Sequence, residues 1–257
     1  MKYPELERLV DIVAVLRSEN GCRWDREQTH KSLRPNMLEE AYEAVDAIDD
    51  DDIPNLREEL GDVLLQVVLH SQIAKDDGDF DIEDVAKELS DKLIHRHPHV
   101  FGNQKVSSTD EILSNWDKLK KEEKTDRKSV LDGISKSQSA LMSAQKISKR
   151  VVKVGFEWPS IESLKDCVKS EFKEFEEAVG SGDKDKMEDE MGDIFFAVVN
   201  LARWYKIDAE QALLRANKKF SKRFRKVEEL ATKPLEDYTI EEYDKLWKQA
   251  KVITNEE

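Results

Sequence analysis

The sequence predicts an all-α protein made of two tandem helical-bundle domains. Three observations lead to this prediction. A long stretch of the chain is repeated once, apolar residues recur at helical spacing without convincing strand alternation, and only 9 glycines and 6 prolines accompany 38% charged and 39% hydrophobic residues. This balance is expected of amphipathic helices whose polar faces are in water.

The repeat covers most of the chain. "REELGDVLLQVV" starts at Arg57, and "EDEMGDIFFAVV" starts 131 residues later at Glu188. At this offset, and at an offset of 127 after a shortened loop, the sequence pairs Glu40 with Glu171, Glu43 with Glu174, Glu59 with Glu190, Asp62 with Asp193, Trp116 with Trp247, Lys120 with Lys251, Lys92 with Lys219 and Arg96 with Arg223. A domain duplication explains both offsets, whereas a solenoid would show more and shorter copies.

The first copy contains five segments with helical spacing of apolar residues. They are a stripe of Leu6, Leu9, Val13 and Leu16, followed by residues 38–48, 56–73, 82–94 and 112–119. Turn-forming letters join the second and third segments, with "DDDDIPN" at 49–55 in the first copy and "GSGDKD" at 180–185 in the second. The aspartate run lacks the spacing of a calcium loop, so it predicts a solvated turn.

The segment between the copies predicts a domain boundary. Residues 120–139 are polar and mixed in charge, which is typical of a helix end followed by a linker. We therefore expect an N-terminal domain of residues 1–124, a linker of 125–138 and a C-terminal domain of 139–257.

Composition narrows the classes of function. A formal net charge of −14 disfavours general binding to nucleic acid or to membrane surfaces, because both depend on neutralising anions. Cys22 and Cys167 are too few and too far apart for a disulfide framework or a cysteine zinc site. The start lacks the apolar region of a signal peptide, and there is no 18-residue apolar run, so we expect a soluble cytoplasmic protein.

Two glutamates share one side of the second segment. On a helical wheel, Glu40 and Glu43 point away from the apolar side, which consists of Leu38, Tyr42, Val45 and Ile48. Ala44 and Ala47 flank the two acids, and we expect these small residues to leave room for something bulky.

The third segment is apolar around most of its circumference. It leaves a narrow polar stripe of Glu59, Asp62, Gln66 and His70. Such a stripe in a single copy is commonly the side on which a buried helix meets water. Both copies, however, pair an E-x-x-E helix with an E-x-x-D helix across a turn, and residues three apart share a face. If the two helices pack antiparallel, four carboxylates converge in each copy.

Converging carboxylates predict a metal site. Two of them about 5 Å apart repel by roughly 3 kcal/mol at an effective dielectric of 20, so four would protonate or separate without cations between them. Oxygen ligands without Cys or a consistent His suit Mg²⁺, or Mn²⁺ in its place. Magnesium held by a few carboxylates completes its shell with waters and substrate phosphates, so the site predicts a phosphate ligand.

Other metals fit the sequence less well. A di-iron bundle needs E-x-x-H on two helices, and the chain has this pattern only at Glu27 to His30. The histidines of "HRHPHVF" (95–101) suggest zinc, but the second copy does not repeat them. A structural turn after a helix is the preferred interpretation of that segment.

A nucleotide would also need positive groups and a flat surface. Lys219 and Arg223 lie four residues apart on one helix face, where arginine can hold phosphate through two hydrogen bonds and lysine supplies a point charge. Trp247 and Lys251 recur at one-turn spacing on the last helix of the second copy. The indole would either stack on a base or close the domain as a hydrophobic clasp, and the sequence does not distinguish these roles.

These motifs resemble a known family. "LEEAYEAV" followed by "REELGD", and "SEFKEFEEA" followed by "EDEMGD", resemble the E-E-x-x-E…E-x-x-D signature of MazG-type nucleoside triphosphate pyrophosphohydrolases, in the all-α NTP pyrophosphatase superfamily. "NGCRWDREQTH", "RHPHVFG", "ALMSAQKISKRVVKVGFEW" and "ANKKFSKRF" are similar to further stretches of tandem-domain MazG proteins. The resemblance covers essentially the whole chain in the correct order.

The resemblance implies two MazG-like helical-bundle domains and an activity. It implies Mg²⁺-dependent hydrolysis of NTPs or dNTPs between the α- and β-phosphates, giving NMP and pyrophosphate, by an interlocked homodimer whose C-terminal copy is catalytic. By motif, the catalytic and metal-binding residues would be Glu171, Glu174, Glu190 and Asp193, with Glu40, Glu43, Glu59 and Asp62 as the N-terminal metal set. Substrate contacts would come from Lys146, Arg150, Lys219, Arg223, Trp247 and Lys251.

One departure leaves the choice of copy open. The first Glu of E-E-x-x-E is kept as Glu39 in the first copy but is Ser170 in the second. If that outer acid orients water, the N-terminal copy would be the active one. We favour the C-terminal copy, because all four of its inferred metal ligands are present. Ser139 stands where relatives often have proline, a change that concerns only the linker.

Two alternative functions remain compatible with the sequence. The chain could be a non-catalytic helical regulator that senses nucleotides, with the acid pairs as relics. It could also be a phosphohydrolase specific for dUTP or for an alarmone.

Overall fold

The computed structural model describes residues 3–123 and 128–256. Within these residues the protein has twelve α-helices, one short 3₁₀ helix and no strand, which confirms the all-α prediction. The chain divides into two compact units, residues 1–125 and 126–257. The linker assigned to 125–138 stays a prediction, and its residues 125–127 lie outside the described part of the chain.

The N-terminal unit contains seven α-helices in its described residues. They are α1 (Pro4–Arg17), α2 (Arg23–Glu27), α3 (Arg34–Asp49), α4 (Ile53–Asp77), α5 (Ile82–Arg96), α6 (Pro98–Phe101) and α7 (Thr109–Glu122). Five of them match the predicted segments, whereas the short α2 and α6 were not predicted. Helix α6 is one turn that begins at Pro98, so the segment 95–101 does form a turn after a helix.

The α3–α4 hairpin supports the first acidic pair of helices. Its turn places Asp51 at a φ of 53°, and the Asp52 carboxylate accepts a hydrogen bond from the backbone N–H of Asn55 at 3.1 Å. The two helices pack closely because Ala44 and Ala47 are buried, at 7% and 2% exposure. The expected open space beside these alanines is therefore absent from the described residues. Three large residues of the opposite side are exposed instead: Leu38, Tyr42 and Ile48.

The core of the N-terminal unit lies away from the acidic end of the hairpin. It consists of Val13, Leu33, Val68, Leu69 and Ile73, all at most 4% exposed. These residues come from α1, from the start of α3 and from the second half of α4. The first half of α4, which carries the acids, is thereby held at the edge of a packed core.

The C-terminal unit repeats this arrangement. Its helices are α8 (Ala140–Val152), α9 (Ile161–Ser181), α10 (Lys184–Trp204), α11 (Ala209–Leu230) and α12 (Ile240–Glu256), with a 3₁₀ helix at Leu235–Asp237. Helix α9 ends at Gly182, whose φ of 74° is readily adopted by glycine, and Asp183 caps α10 by accepting from two backbone N–H groups. A tight α9–α10 hairpin results.

Buried apolar residues hold the C-terminal helices together. Leu164, Val199, Val227 and Ala250 are at most 1% exposed and come from α9, α10, α11 and α12 respectively. None of the described helices combines the length and the apolar character needed to cross a bilayer.

Candidate functional site

Each hairpin brings three glutamates together. Glu171 and Glu174 on α9 meet Glu190 on α10, with one carboxylate oxygen of each lying within 4.8 Å of the others. The equivalent trio in the N-terminal unit (Glu40, Glu43 and Glu59) has the same spacing. Three of the four carboxylates that were predicted to converge therefore lie together in each copy. We call these trios the C-terminal and N-terminal acidic clusters.

The fourth acid of each set lies next to its cluster. Asp193 and Asp62 are outside the two trios, but each raises the pKa of a neighbouring glutamate through its charge. Asp193 is exposed and lines the cavity described below. Both aspartates are thus placed to coordinate the same cation as the glutamates of their cluster.

Charge repulsion is visible in the pKa values of the clusters. The pKa of Glu190 lies above its usual range because of local desolvation and then because of Glu174, Asp193 and Glu171. The pKa of Glu59 is raised by desolvation and by Glu43 and other acids. The charges that raise the pKa of Glu190 are all acidic neighbours, as expected of carboxylates held together.

The ligand atoms fit a hard divalent cation. Three glutamate oxygens within 4.8 Å match the preference of Mg²⁺ and Mn²⁺ for carboxylate ligands. Cys167 lies at the edge of the C-terminal cluster, where its Sγ donates to Glu171 at 3.4 Å. Burial and the neighbouring carboxylates raise the pKa of this thiol to about 11, so it is protonated at neutral pH and is a poor metal ligand.

A cavity adjoins the C-terminal acidic cluster. Its volume is about 370 Å³, and its wall includes both Glu171 and Asp193. The remaining wall is largely aromatic and apolar: Val151, Phe156, Trp158, Pro159, Phe196 and Ala197, with Glu157 and Asn200 as polar members. The loop "GFEWP" (155–159) loosely repeats "GCRWD" (21–25) of the first copy. Sequence spacing alone gives this loop no role, because nothing local reveals that it lies against α10.

A buried polar network fixes the loop that carries Trp158. Arg203 donates to Ser148 Oγ at 2.6 Å and to Glu157 Oε1 at 2.7 Å. Ser148 donates in turn to Asn200 Oδ1 at 2.6 Å, and Glu157 accepts from the backbone N–H of Trp158 at 2.9 Å. The network joins α8, α10 and the loop, so the aromatic wall is attached to the same helix that carries Glu190.

The predicted phosphate-binding pair lies on α11. Lys219 is exposed and Arg223 is half-buried. Helix α11 packs mainly against α12, and it contacts α10 only slightly within the unit. The contact of this pair with substrate stays a prediction.

The equivalent arginine of the first copy is bound to an acid. Arg96 forms a bidentate ion pair with Glu123, and its guanidinium lies 5.8 Å from the ring centroid of Trp116. Hydrogen bonding from Arg96 holds the pKa of Glu123 below its usual range. In the repeat, Thr254 stands where the first copy has Glu123, so the C-terminal copy lacks this acid.

The tryptophan of the last helix packs inside its unit. The ring of Trp247 lies 5.1 Å from that of Phe220 and tilts against it by 43°. Both rings border an open groove of about 730 Å³ between α11 and α12. These contacts favour the hydrophobic clasp over base stacking. Lys251, one turn further, is exposed.

The two α8 candidates differ in their contacts. Arg150 donates to the backbone carbonyls of Val130 and Asp132, at 3.0 and 2.6 Å, and so fastens the segment before α8. Lys146 is half-buried. The geometry gives Arg150 a structural task, and substrate contact by either residue stays a prediction.

The residue that departs from the motif is directed away from the cluster. Ser170 is exposed, and its hydroxyl donates to the backbone carbonyl of Cys167 at 2.8 Å. Its N-terminal counterpart, Glu39, is also exposed and raises the pKa of Glu40. Neither outer position belongs to the acidic clusters, so the substitution leaves the inferred ligands intact.

The N-terminal unit has a histidine pair on the polar stripe of α4. The Nδ1 atoms of His30 and His70 are 2.7 Å apart, and the two rings lie almost parallel, so one Nδ1–H donates to the other ring. Burial, followed by His30, lowers the pKa of His70. The pair fastens the loop before α3 to α4.

Comparison with known proteins places both clusters in family-matched segments. The model of the MazG nucleotide pyrophosphohydrolase domain matches residues 28–101 and 159–228. The nucleoside triphosphate pyrophosphohydrolase/pyrophosphatase MazG of Thermotoga maritima is 45% identical over 249 residues, covering 95% of each chain. The nucleoside triphosphate pyrophosphohydrolase of Escherichia coli K12 is 44% identical over 255 residues, covering 96% of this chain and 97% of the relative. A crystal structure of a mazG-related protein from Thermotoga maritima aligns at 31% identity with 45% of this chain and 98% of its own, with a TM-score of 0.39.

Proposed function

The chain belongs to the MazG nucleotide pyrophosphohydrolase family, and from this premise we propose that it hydrolyses nucleoside triphosphates between the α- and β-phosphates. Water is consumed and a nucleoside monophosphate and pyrophosphate are released. Mg²⁺ is the proposed cofactor, with Mn²⁺ as a substitute. Relatives of the chain are named nucleoside triphosphate pyrophosphohydrolases, which supports the choice of reaction, and the carboxylate clusters support a hard divalent cation.

One observation supports the proposal most directly: an aromatic cavity opens beside a carboxylate cluster that needs cations. Glu171 and Asp193 belong both to the acidic set and to the cavity wall. A triphosphate bound at the acidic set would place its nucleoside in that cavity, against Trp158 and Phe156. Aromatic side chains accept any base face, because every base has a π surface to stack on.

The chain's own residues supply positioning and proton transfer. Glu171, Glu174, Glu190 and Asp193 would hold the metal, which when bound neutralises the phosphate oxygens and polarises the phosphorus. A glutamate of the cluster orients the attacking water and accepts its proton, a task suited to a carboxyl group with a raised pKa. The largely apolar wall keeps other water away from the reacting phosphate.

The C-terminal copy is the proposed active copy. Its cavity is contiguous with its acids, whereas the basic residue of the N-terminal copy, Arg96, is already neutralised by Glu123. A phosphate would have to compete with this carboxylate for the guanidinium.

A homodimer would bring the basic residues to the site. Lys219, Arg223 and Lys251 lie on α11 and α12, which pack mainly against each other, and a second copy is the proposed source of these charges at the acidic cluster. Exposed apolar residues on the α9–α10 hairpin support association: Phe172 at 52%, Val179 at 49%, Phe195 at 57% and Val198 at 44%.

Product analysis tests the proposal. Wild type, Glu59→Gln and Glu190→Gln are incubated with Mg²⁺ and each NTP or dNTP, and products are separated by anion-exchange chromatography. We expect NMP and pyrophosphate, a loss of at least about 100-fold in kcat/KM for Glu190→Gln, and little change for Glu59→Gln. Release of NDP and phosphate would refute the bond assignment. Unchanged binding and turnover in Glu190→Gln would refute the metal site.

A further inference from the structure

A buried glutamine beside the N-terminal acidic cluster distinguishes the two copies. Gln66 follows Asp62 by four residues on α4, as Ala197 follows Asp193 on α10. Ala197 and Asp193 both line the C-terminal cavity. By the repeat, Gln66 stands in the N-terminal unit at the position of Ala197, with a carboxamide in place of a methyl group.

Only one of the two polar groups of the Gln66 carboxamide has a hydrogen-bond partner. Gln66 is 5% exposed, and its side chain hydrogen-bonds to Glu40 of the N-terminal acidic cluster. An ionised carboxylate only accepts hydrogen bonds, so the NH₂ group of Gln66 faces Glu40 and the carbonyl oxygen faces elsewhere. That oxygen, Oε1, is buried and has no hydrogen-bond partner among residues 3–123 and 128–256.

A buried acceptor without a partner indicates a missing donor, because nearly all buried polar groups in proteins are paired. The nearest candidate on the same helix face is His70, one turn further along α4. Its Nδ1 is already engaged with His30 at 2.7 Å. The donor that completes Gln66 is therefore expected from a bound molecule that also reaches the acidic cluster.

We propose that the N-terminal unit is a second nucleotide-binding site, in which Gln66 Oε1 accepts a hydrogen bond from the nucleoside part of a metal-bound triphosphate. This inference rests on the proposed function, since it takes the ligand class from the C-terminal site. The donor is an O–H of the sugar or an N–H of the base. With Ala197 at the matching position, the C-terminal site cannot make this hydrogen bond and selects by the shape of its aromatic wall.

Binding measurements in a variant with a disabled C-terminal cluster test the proposal. Glu171→Gln/Glu190→Gln in the full chain provides this background, and Ca²⁺ replaces Mg²⁺ because it takes the same oxygen ligands. Equilibrium dialysis compares ATP, 2′,3′-dideoxy-ATP, which lacks the sugar donors, and purine riboside triphosphate, which lacks the exocyclic amine. We expect ATP to bind, and one of the two analogues to bind roughly 5- to 10-fold more weakly, which identifies the donor.

Substitution of Gln66 should remove this discrimination. In the same background, Gln66→Leu or Gln66→Ala is expected to bind ATP as weakly as the disfavoured analogue. Gln72→Leu, the same change two turns along α4 at a side chain that bonds Asp76, is the matched control and should keep the preference. Circular dichroism verifies that each variant is folded. One folded variant, Gln66→Leu or Gln66→Ala, is enough for the binding test.

The outcomes separate this inference from the proposed function. Equal binding of the three nucleotides, discrimination that survives both Gln66 variants, or no nucleotide binding in the background variant would each overturn the role of Gln66. None of these results bears on wild-type turnover, which product analysis measures independently.

Discussion

Identical residues acquire different roles in the two copies because their neighbours differ. Arg96 is held by Glu123, whereas the equivalent Arg223 has a threonine at that repeat position. Gln66 is a buried amide where the other copy has Ala197. Both copies keep the acidic clusters and differ in the surrounding residues, so we expect single residues around each cluster to decide selectivity and activity.

Removing one acid should stabilise the metal-free protein at neutral pH. The raised pKa of Glu190 means that the folded state holds its proton more tightly than the unfolded state does. This stabilising effect is fully present below the unfolded pKa of about 4.5 and is lost as pH rises through the folded pKa. Glu190→Gln removes the charge, so in EDTA it should be more stable than wild type at pH 7.

Urea unfolding at pH 4 and pH 7 measures this effect. The advantage of Glu190→Gln should shrink at pH 4, where wild type is also protonated. Addition of Mg²⁺ at pH 7 should reverse the order, because only wild type keeps the complete ligand set. A variant less stable than wild type at pH 7 in EDTA would contradict mutual repulsion in the cluster.

The aromatic wall should determine KM. Trp158→Ala removes the largest flat surface of the C-terminal cavity, and loss of one stacking contact worth about 1–3 kcal/mol should raise KM roughly 5- to 100-fold. The matched control is Trp24→Ala, since Trp24 stands at the equivalent place in "GCRWD" and is 57% exposed. Steady-state kinetics in which Trp24→Ala has the larger effect would assign turnover to the N-terminal copy.

At the scale of elements, the hairpin is what makes the acids converge. Short turns force α3 against α4, and α9 against α10, so E-x-x-E on one helix must face E-x-x-D on the next. The capping aspartates Asp52 and Asp183 occupy the same repeat position and fix where the second helix begins. The caps thereby set the register of the metal ligands.

Loss of a cap should therefore affect both stability and activity. Asp183 accepts hydrogen bonds from the backbone N–H groups of Asp185 and Lys186, so Asp183→Ala should lower the free energy of unfolding by about 1 kcal/mol. Asp52 accepts from Asn55, and Asp52→Ala should have a similar or smaller effect. Thermal unfolding followed by circular dichroism measures both, with the exposed Asp79→Ala as control. An unchanged midpoint for Asp183→Ala would argue against the cap.

The sequence predicted the long helices and the acidic clusters because both depend on local spacing. Helical periodicity predicts α3 and α4, and the turn-forming residues 49–55 between them predict the hairpin. Helix α2 has five residues, too few to show a period. The Arg96–Glu123 pair and the network of Arg203 join residues far apart in sequence, and no spacing rule connects them. The cavity was missed for the same reason, since its loop and helix meet only after folding.

At the scale of the whole molecule, the protein has a formal net charge of −14, and its proposed substrate is also negatively charged. Long-range attraction cannot draw a triphosphate to such a protein, so affinity must come from metal ions and from a few placed cations. Lys219 and Arg223 are the predicted cations, and they lie on α11, which packs mainly against α12. In the proposed dimer, a second copy would bring these cations to the acidic cluster.

Breaking the proposed dimer should therefore abolish activity without unfolding the protein. Phe195 and Val198 lie one turn apart on α10, exposed by 57% and 44%, so Phe195→Glu/Val198→Glu should disrupt an apolar interface while leaving the core in place. Sedimentation velocity should give twice the 29.8 kDa chain mass for wild type and one chain mass for the variant. Val15→Glu, at a 65% exposed residue of α1, is the control and should remain dimeric and active. A monomeric wild type with full turnover would show that one chain completes its own site and would overturn the proposed dimer.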